Sequence, residues 1–260
     1  MKMLIGCCGP VEKYQQIAGD GYDYFEALGW QIFDLGLADF MDFVDLTERT
    51  GLPVKRISSY CGASPAIIGP RFDAAAVKAY ARAMCVRAQM LGVEQIGIGS
   101  PKARQLPEGF SKEVADEQCA EFLSITANEA ADYGIGIMLE GVHPGFCNYL
   151  NDTAECYALV KRLSLPNLHL ILDLYNMKRN GESWDDIPKY IDENRSMHIS
   201  TDLGGLSRGV YLASDEAEVA ETMAAIKKAG WDGCVSLEPE PTRLGEGDTK
   251  TALELVRKYM

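Results

Sequence analysis

Short apolar runs alternate with longer amphipathic segments along the whole chain, and this alternation narrows the fold more than any other feature. The runs that read as strands are Met3–Cys7, Tyr22–Ala27, Val54–Ser59, Glu94–Ile98, Gly136–Glu140, His169–Asp173, Ser196–Ile199 and Cys234–Glu238. The clearest helical patterns between them are Asp73–Leu91, Ser111–Tyr133, Thr153–Leu163, Asp215–Ala229 and Thr249–Tyr259. Within the first of these, Ala76, Ala79, Tyr80, Ala83, Met84, Arg87 and Leu91 follow a period near 3.6 residues. Gly92, Gly134 and Gly230 stand where helices stop, just before the next strand, and Asp152, Asp215 and Asp248 stand where helix N-caps belong. Eight strand-then-helix units in 260 residues match the size of an α/β (β/α)8 TIM barrel, about 250 residues. We therefore expect one domain spanning residues 1–260. A doubly wound open sheet would carry a glycine-rich phosphate loop after its first strand; Gly-Cys-Cys-Gly-Pro at 6–10 is not one, and no P-loop occurs elsewhere.

A hydrophobic content of 47% supports a substantial core. The formal charge of −13, from 38 acidic and 25 basic residues, argues against nucleic acid as a partner, because phosphates need a basic face. Eight cysteines are scattered without a Cys-x-x-Cys, a pattern of reduced, buried thiols rather than of a disulfide framework. The apolar run at the N-terminus is too short for a signal peptide or a membrane span, so the expectation is a cytoplasmic protein with no membrane partner.

Glu140, Asp173, His198 and Glu238 each close one of the last four apolar runs. Their separations of 33, 25 and 40 residues each leave room for one helix and its loops, so the four belong to consecutive strands. Strand side chains alternate faces. With Leu139, Leu172, Val235 and Leu237 turned toward the helices, the four polar residues all turn into the barrel mouth, where chemistry is found in this architecture. Three carboxylates and an imidazole at one rim are costly to bury without a shared cation. Such an oxygen-rich set suits Mn²⁺ first, with Mg²⁺, Co²⁺ or Zn²⁺ also compatible.

The motifs Gly-Tyr-Asp-Tyr-Phe-Glu at 21–26, Gly-Ser-Pro-Lys-Ala-Arg-Gln-Leu-Pro-Glu-Gly-Phe at 99–110 and Ile-Met-Leu-Glu ending at Glu140 carry a family resemblance. So do Leu-Asp-Leu-Tyr-Asn-Met at 172–177, Met-His-Ile at 197–199 and Trp-Asp-Gly-Cys-Val-Ser-Leu-Glu-Pro at 231–239. Together they resemble the xylose isomerase-like barrel superfamily, in its sugar-phosphate isomerase/epimerase branch with the ketose 3-epimerases. The resemblance implies that Glu140, Asp173, His198 and Glu238 hold one divalent metal. It also implies that Glu140 and Glu238 form the acid/base pair on either face of a small carbohydrate substrate. The reaction implied is proton abstraction beside a carbonyl through an enediolate.

Two positions depart from the epimerase pattern. Asn176 stands where Asp-x-x-His is common, and Phe146 stands where a second glutamate is common. Both positions face substrate oxygens in the epimerases, so an apolar Phe146 suggests a less hydroxylated or differently shaped ligand. Arg208 matches the arginine expected after the seventh strand, Arg104 is expected over the mouth to meet a carboxylate or phosphate, and His143 is expected in the same rim. Tyr60 and Cys61 are candidate pocket walls, and Trp184, Trp231 and His169 are expected to be packing residues. Two other readings share the scaffold: a dehydratase of a cyclic keto-polyol, and a non-catalytic sugar-binding or partner-subunit barrel. By resemblance, a homo-oligomer is expected.

Overall fold

The structure is a computed structural model that describes residues 3–245 and 248–260; Met1 and Lys2 of the N-terminal run lie outside the described residues. The strands are β1 Leu4–Gly9, β2 Tyr24–Leu28, β3 Val54–Ser58, β4 Gln95–Ile98, β5 Gly136–Glu140, β6 Leu168–Asp173 and β7 Asn194–Ile199. A hairpin of β8 Thr201–Gly204 and β9 Ser207–Gly209 precedes the last strand, β10 Cys234–Leu237. Helices are α1 Tyr14–Asp20, α2 Gly29–Asp34, α3 Leu37–Thr50, α4 Ala74–Met90, α5 Lys112–Ala131, α6 Thr153–Leu163, α7 Leu174–Arg179, α8 Glu216–Lys228 and α9 Asp248–Lys258.

Eight strands close a parallel barrel in the order β1-β10-β7-β6-β5-β4-β3-β2. Parallel neighbours need crossovers, and the helices supply them while covering the outer face. Leu139, Leu172, Val235 and Leu237 are fully shielded in the core shared with the helices, so the polar residues one position away turn inward. The register sets their height: Asp173 lies beside His198, and His198 beside Ser236. All eight cysteines are buried and free of disulfides.

Several local expectations need correction. Asp152 does cap α6, accepting from the Glu155 N–H at 2.8 Å. Asp215 stands at the N-cap position of α8 as expected, but its side chain accepts from Leu212 N–H at 2.8 Å instead of from the helix, because a 3₁₀ turn at Ala213–Asp215 runs directly into α8. Asp248 is the first residue of α9 rather than its cap. His169 is not core: it stands half-buried at the amino end of β6, its Nδ1 3.5 Å from Glu193.

The barrel interior is tight enough to dictate a glycine. A Cβ on Gly6 would fall 2.2 Å from the Tyr24 ring. That ring is fully buried and donates through its hydroxyl to Ser236 Oγ at 2.7 Å, so it has nowhere to retreat. Gly6→Ala is therefore expected to cost about 1–3 kcal/mol, the usual penalty of overpacking, read as a lower urea midpoint at unchanged slope.

Candidate metal centre

Four strand ends deliver four side chains to one point. Glu140 ends β5, Asp173 ends β6, His198 is the penultimate residue of β7, and Glu238 follows β10 directly, its N–H bonded to Ile199 O at 2.9 Å. One donor atom from each lies within 4.8 Å of the others, and all four residues are buried. His198 Nδ1 stands 2.9 Å from Glu238 Oε2 and 3.4 Å from Glu140 Oε1. Arg208 Nη2 is ion-paired to Glu238 Oε2 from the other side, whereas Glu140 Oε1 makes no hydrogen bond among the described residues. Donors bound to one small divalent cation at about 2.1 Å sit roughly 3–4 Å apart, which is the spacing seen.

Charge leads to the same result. Glu26, Glu140, Asp173 and Glu238 are buried carboxylates, and the guanidinium facing the cluster is that of the partly exposed Arg208, since the buried Arg56 pairs with Glu94. Four carboxylates thus outnumber the guanidinium that reaches the cluster, and a divalent cation offsets such an excess. Burying such a surplus unpaired would be prohibitive. In its absence, burial pushes the Asp173 carboxyl up to about 7, against the pull of Arg208, with Glu140 and Glu238 adding to the rise. Burial also acts to raise Glu238, but Arg208 and His198 overcome it and hold that group down at about 2. For His198 burial favours the neutral ring, and Glu238 and Glu26 outweigh it, so its pKa rises well above the ordinary value. The residues present fit a divalent metal.

Two supports lie behind the cluster. Glu26, on β2 and fully buried, is 3.0 Å from His198 Nε2, and its other oxygen accepts from Ser236 Oγ. With Nε2–H donated to Glu26, the lone pair of His198 is on Nδ1 and aims at the cluster. Glu26 was missed as a site residue, although parity was enough to find it: it shares a strand face with Tyr24, two residues before it. On the other side, a Cβ at Gly99 would fall 2.5 Å from Glu140 Oε2. The close approach of β4's loop to that carboxylate thus requires glycine.

Arg208 reaches the cluster, Nη1 at 2.8 Å from Asp173 Oδ2 and Nη2 at 2.9 Å from Glu238 Oε2. It is carried there by the β8–β9 hairpin, and Gly204-Gly205 at the turn, both at positive φ, was the signal available in the sequence. Asn176 is buried with its amide engaged at both ends: Nδ2 donates to Asp173 Oδ2 at 2.7 Å, and Oδ1 accepts from His143 N–H at 3.2 Å. It orients a carboxylate and ties down the 141–152 loop. His143 and Phe146 sit in that loop with their rings edge to face at 6.4 Å, and His143 Nδ1 accepts from Gly145 N–H.

Arg104 corrects an expectation. It is fully buried, donating from Nη1 to the Glu140 carbonyl at 2.9 Å among the thiols of Cys147 and Cys156, so it pins the end of β5 and does not reach into the mouth. Cys61 lines a cleft at this end of the barrel, as expected, whereas Tyr60 lies behind it with its carbonyl accepting from Tyr80. Trp184 and Trp231 are packed against the core, their indoles donating to Leu174 O and Cys234 O.

A closed parallel barrel with a buried carboxylate–imidazole cluster at the carboxyl ends of its strands defines a β/α barrel with a candidate metal centre. The xylose isomerase-like TIM barrel family model matches residues 14–259, and the chain belongs to that family. It is similar to a ketose 3-epimerase of Arthrobacter globiformis, 27% identical over 91% of this chain and 83% of the relative. It is also similar to an L-ribulose 3-epimerase of Methylomonas sp. (strain DH-1), 28% identical over 84% of this chain and 74% of that one. Among solved structures, D-allulose 3-epimerase from Methylomonas sp. in complex with D-allulose superimposes with a TM-score of 0.79 at 18% identity, covering 100% of this chain and 98% of that one. That likeness shows the fold. No helix among the described residues is long and apolar enough to cross a membrane.

Proposed function

We propose that the protein is a metal-dependent isomerase or epimerase of a small keto-sugar or sugar derivative. Glu140, Asp173, His198 and Glu238 hold one divalent ion, Mn²⁺ by preference, and Glu140 and Glu238 exchange protons with the substrate. The observation that carries this reading is the set of four buried residues whose donor atoms face one another at one point, within 4.8 Å. The curated relatives, both 3-epimerases, support it.

A bound divalent cation would polarise the substrate carbonyl and lower the pKa of the adjacent C–H. The chain's own residues do the rest. One of the two glutamates takes the proton from the carbon beside the carbonyl; the C–H electron pair forms the new C=C bond and the carbonyl π pair moves onto oxygen, which gives the enediolate. The other glutamate returns a proton to the opposite face, which inverts that carbon. Arg208 offers fixed positive charge where the oxygen becomes anionic. Glu26 and Asn176 act through His198 and Asp173, fixing the ring and the carboxylate before substrate arrives.

The test is solvent exchange: a panel of ketoses and cyclic ketones in D₂O, with Mn²⁺-loaded and EDTA-treated protein, followed by proton NMR. Metal-dependent loss of a single α-proton signal is the expected result. No exchange in any ketose or any cyclic ketone of the panel, keto-glycosides included, would overturn the reading. Exchange accompanied by an enone absorbance from a cyclic keto-polyol would assign the dehydratase reaction, to which the apolar Phe146 is compatible. A positioning role also predicts that Glu26→Gln weakens Mn²⁺ binding by about 10–100-fold, the usual effect of losing a partner behind a ligand, read by calorimetry.

A further inference from the structure

Beside the metal centre opens a cleft of about 980 Å³ that the chemistry above does not use. Its inner wall is the pair of loops after β3 and β4, and it begins at Ser59 and Ser100, each one residue beyond a group at the centre. Ser58 bonds Cys8, whose thiol feels Glu238, and Gly99 abuts Glu140. The cleft and the centre thus share a wall.

That wall is held under strain. Ser59 and Ser100 have φ of 49° and 41°, in the left-handed region that non-glycine residues seldom adopt. The two loops are stitched together by Cys61 N–H to Ser100 Oγ at 3.1 Å and Tyr60 N–H to Gly97 O at 3.2 Å. Strain of this kind persists where surrounding bonds enforce it and clusters at ligand sites.

One face of the lining is flat and aromatic. Trp30 and Phe33 come from α2, Ala79 and Tyr80 from α4, and Pro65 and Pro101 from the loops. Phe33 and Tyr80 stack at 3.9 Å between centroids, forming a rigid plane. Trp30 is 41% exposed, an unusual state for so large an apolar side chain, and lies at the cleft wall. Ser59 and Ser100 lie on the inner wall, and Asp34, Ser64 and Lys102 are exposed beside the aromatic face. The volume is that of a drug-sized ligand rather than of one monosaccharide.

We propose that the cleft binds a flat apolar substituent of the substrate, so that the protein acts on a keto-glycoside carrying an aryl aglycone rather than on a free ketose. This rests on the reading of the metal centre as the reacting end. The sugar would reach Glu140 and Glu238, and the aglycone would lie against Trp30 and the Phe33–Tyr80 plane. The apolar Phe146 at the rim accords with a ligand poorer in hydroxyls than a ketose.

The test is calorimetric titration of the full chain with phenyl β-D-glucopyranoside and methyl β-D-glucopyranoside, with Mn²⁺ affinity measured alongside. The phenyl glycoside is expected to bind about 10-fold or more tighter, the difference made by burying one aromatic ring. Trp30→Ala and Ala79→Phe should each abolish that preference, the second by filling the cleft from an exposed helix position where the fold tolerates it. Both should leave Mn²⁺ affinity unchanged. Equal affinity for the two glycosides, no binding of either, or a phenyl preference that survives Ala79→Phe would overturn the proposal. So would a dimer that Ala79→Phe dissociates, since the cleft would then be covered by a second copy. A phenyl preference in a protein that binds no Mn²⁺ would keep the cleft and remove the catalytic reading instead.

Discussion

Glu238→Ala is expected to weaken Mn²⁺ binding by more than about 100-fold, beyond the 10–100-fold typical of losing a mere supporting partner. The purified protein should carry about one divalent ion per chain and this variant almost none, by metal analysis and calorimetry. Glu238 is the best position for the measurement because its removal leaves Arg208 still paired with Asp173. His198→Ala is less clean. It removes a donor, but it also strands Glu26, a fully buried carboxylate whose second oxygen is bonded only to Ser236. Breaking a buried pair in this way costs about 3–5 kcal/mol, so His198→Ala should lose both metal and thermal stability. A Glu238→Ala variant that binds Mn²⁺ as tightly as the parent would remove the proposed function at its base.

The second large effect is expected at Glu140. Glu140→Gln keeps an oxygen donor near the metal and the backbone carbonyl that Arg104 holds, but it cannot accept a proton from carbon. Proton exchange should fall by about 10²–10⁴-fold, the range a positioned general base supplies, while Mn²⁺ binding is weakened far less than in Glu238→Ala. The kinetic signature is a loss in kcat with little change in KM, since the amide fills the same space. Exchange that persists at the parental rate in Glu140→Gln would mean that Glu238 alone handles the proton.

These two carboxylates differ in what surrounds them, and the difference bears on their roles. Glu238 is flanked by Arg208 and His198, which hold it ionised. Glu140 instead has Oε2 against Gly99 and Oε1 without a hydrogen bond. One group is locked into a network, and the other is held only from behind, by geometry.

The barrel could be read from the sequence because its signals are local. Strand runs such as Gly136–Glu140 and helices such as Thr153–Leu163 are set by side-chain periodicity and by Asp152 and Gly134 at their borders, all within a few residues. The four cluster residues were also legible, since a strand's two-residue alternation puts Glu140, Asp173, His198 and Glu238 on one face once the barrel is assumed. What periodicity cannot report is how far a long side chain reaches. Arg104 was expected in the mouth and lies under β5, because a guanidinium at the end of a flexible stem goes where a buried carbonyl, here that of Glu140, needs a donor. Arg208 is the converse, carried inward by a hairpin whose turn the sequence did contain. Glu26 behind His198, Asn176 across Asp173 and the cleft walled by Trp30, Tyr80 and Ser100 join residues up to 172 positions apart. By itself, then, the sequence determined the barrel, its strand order of appearance and the inward face of its acids. Closure of the barrel decided what stands behind those acids, because it brings Glu26 of β2 against His198 of β7 in one low-dielectric space where each buried charge requires a partner.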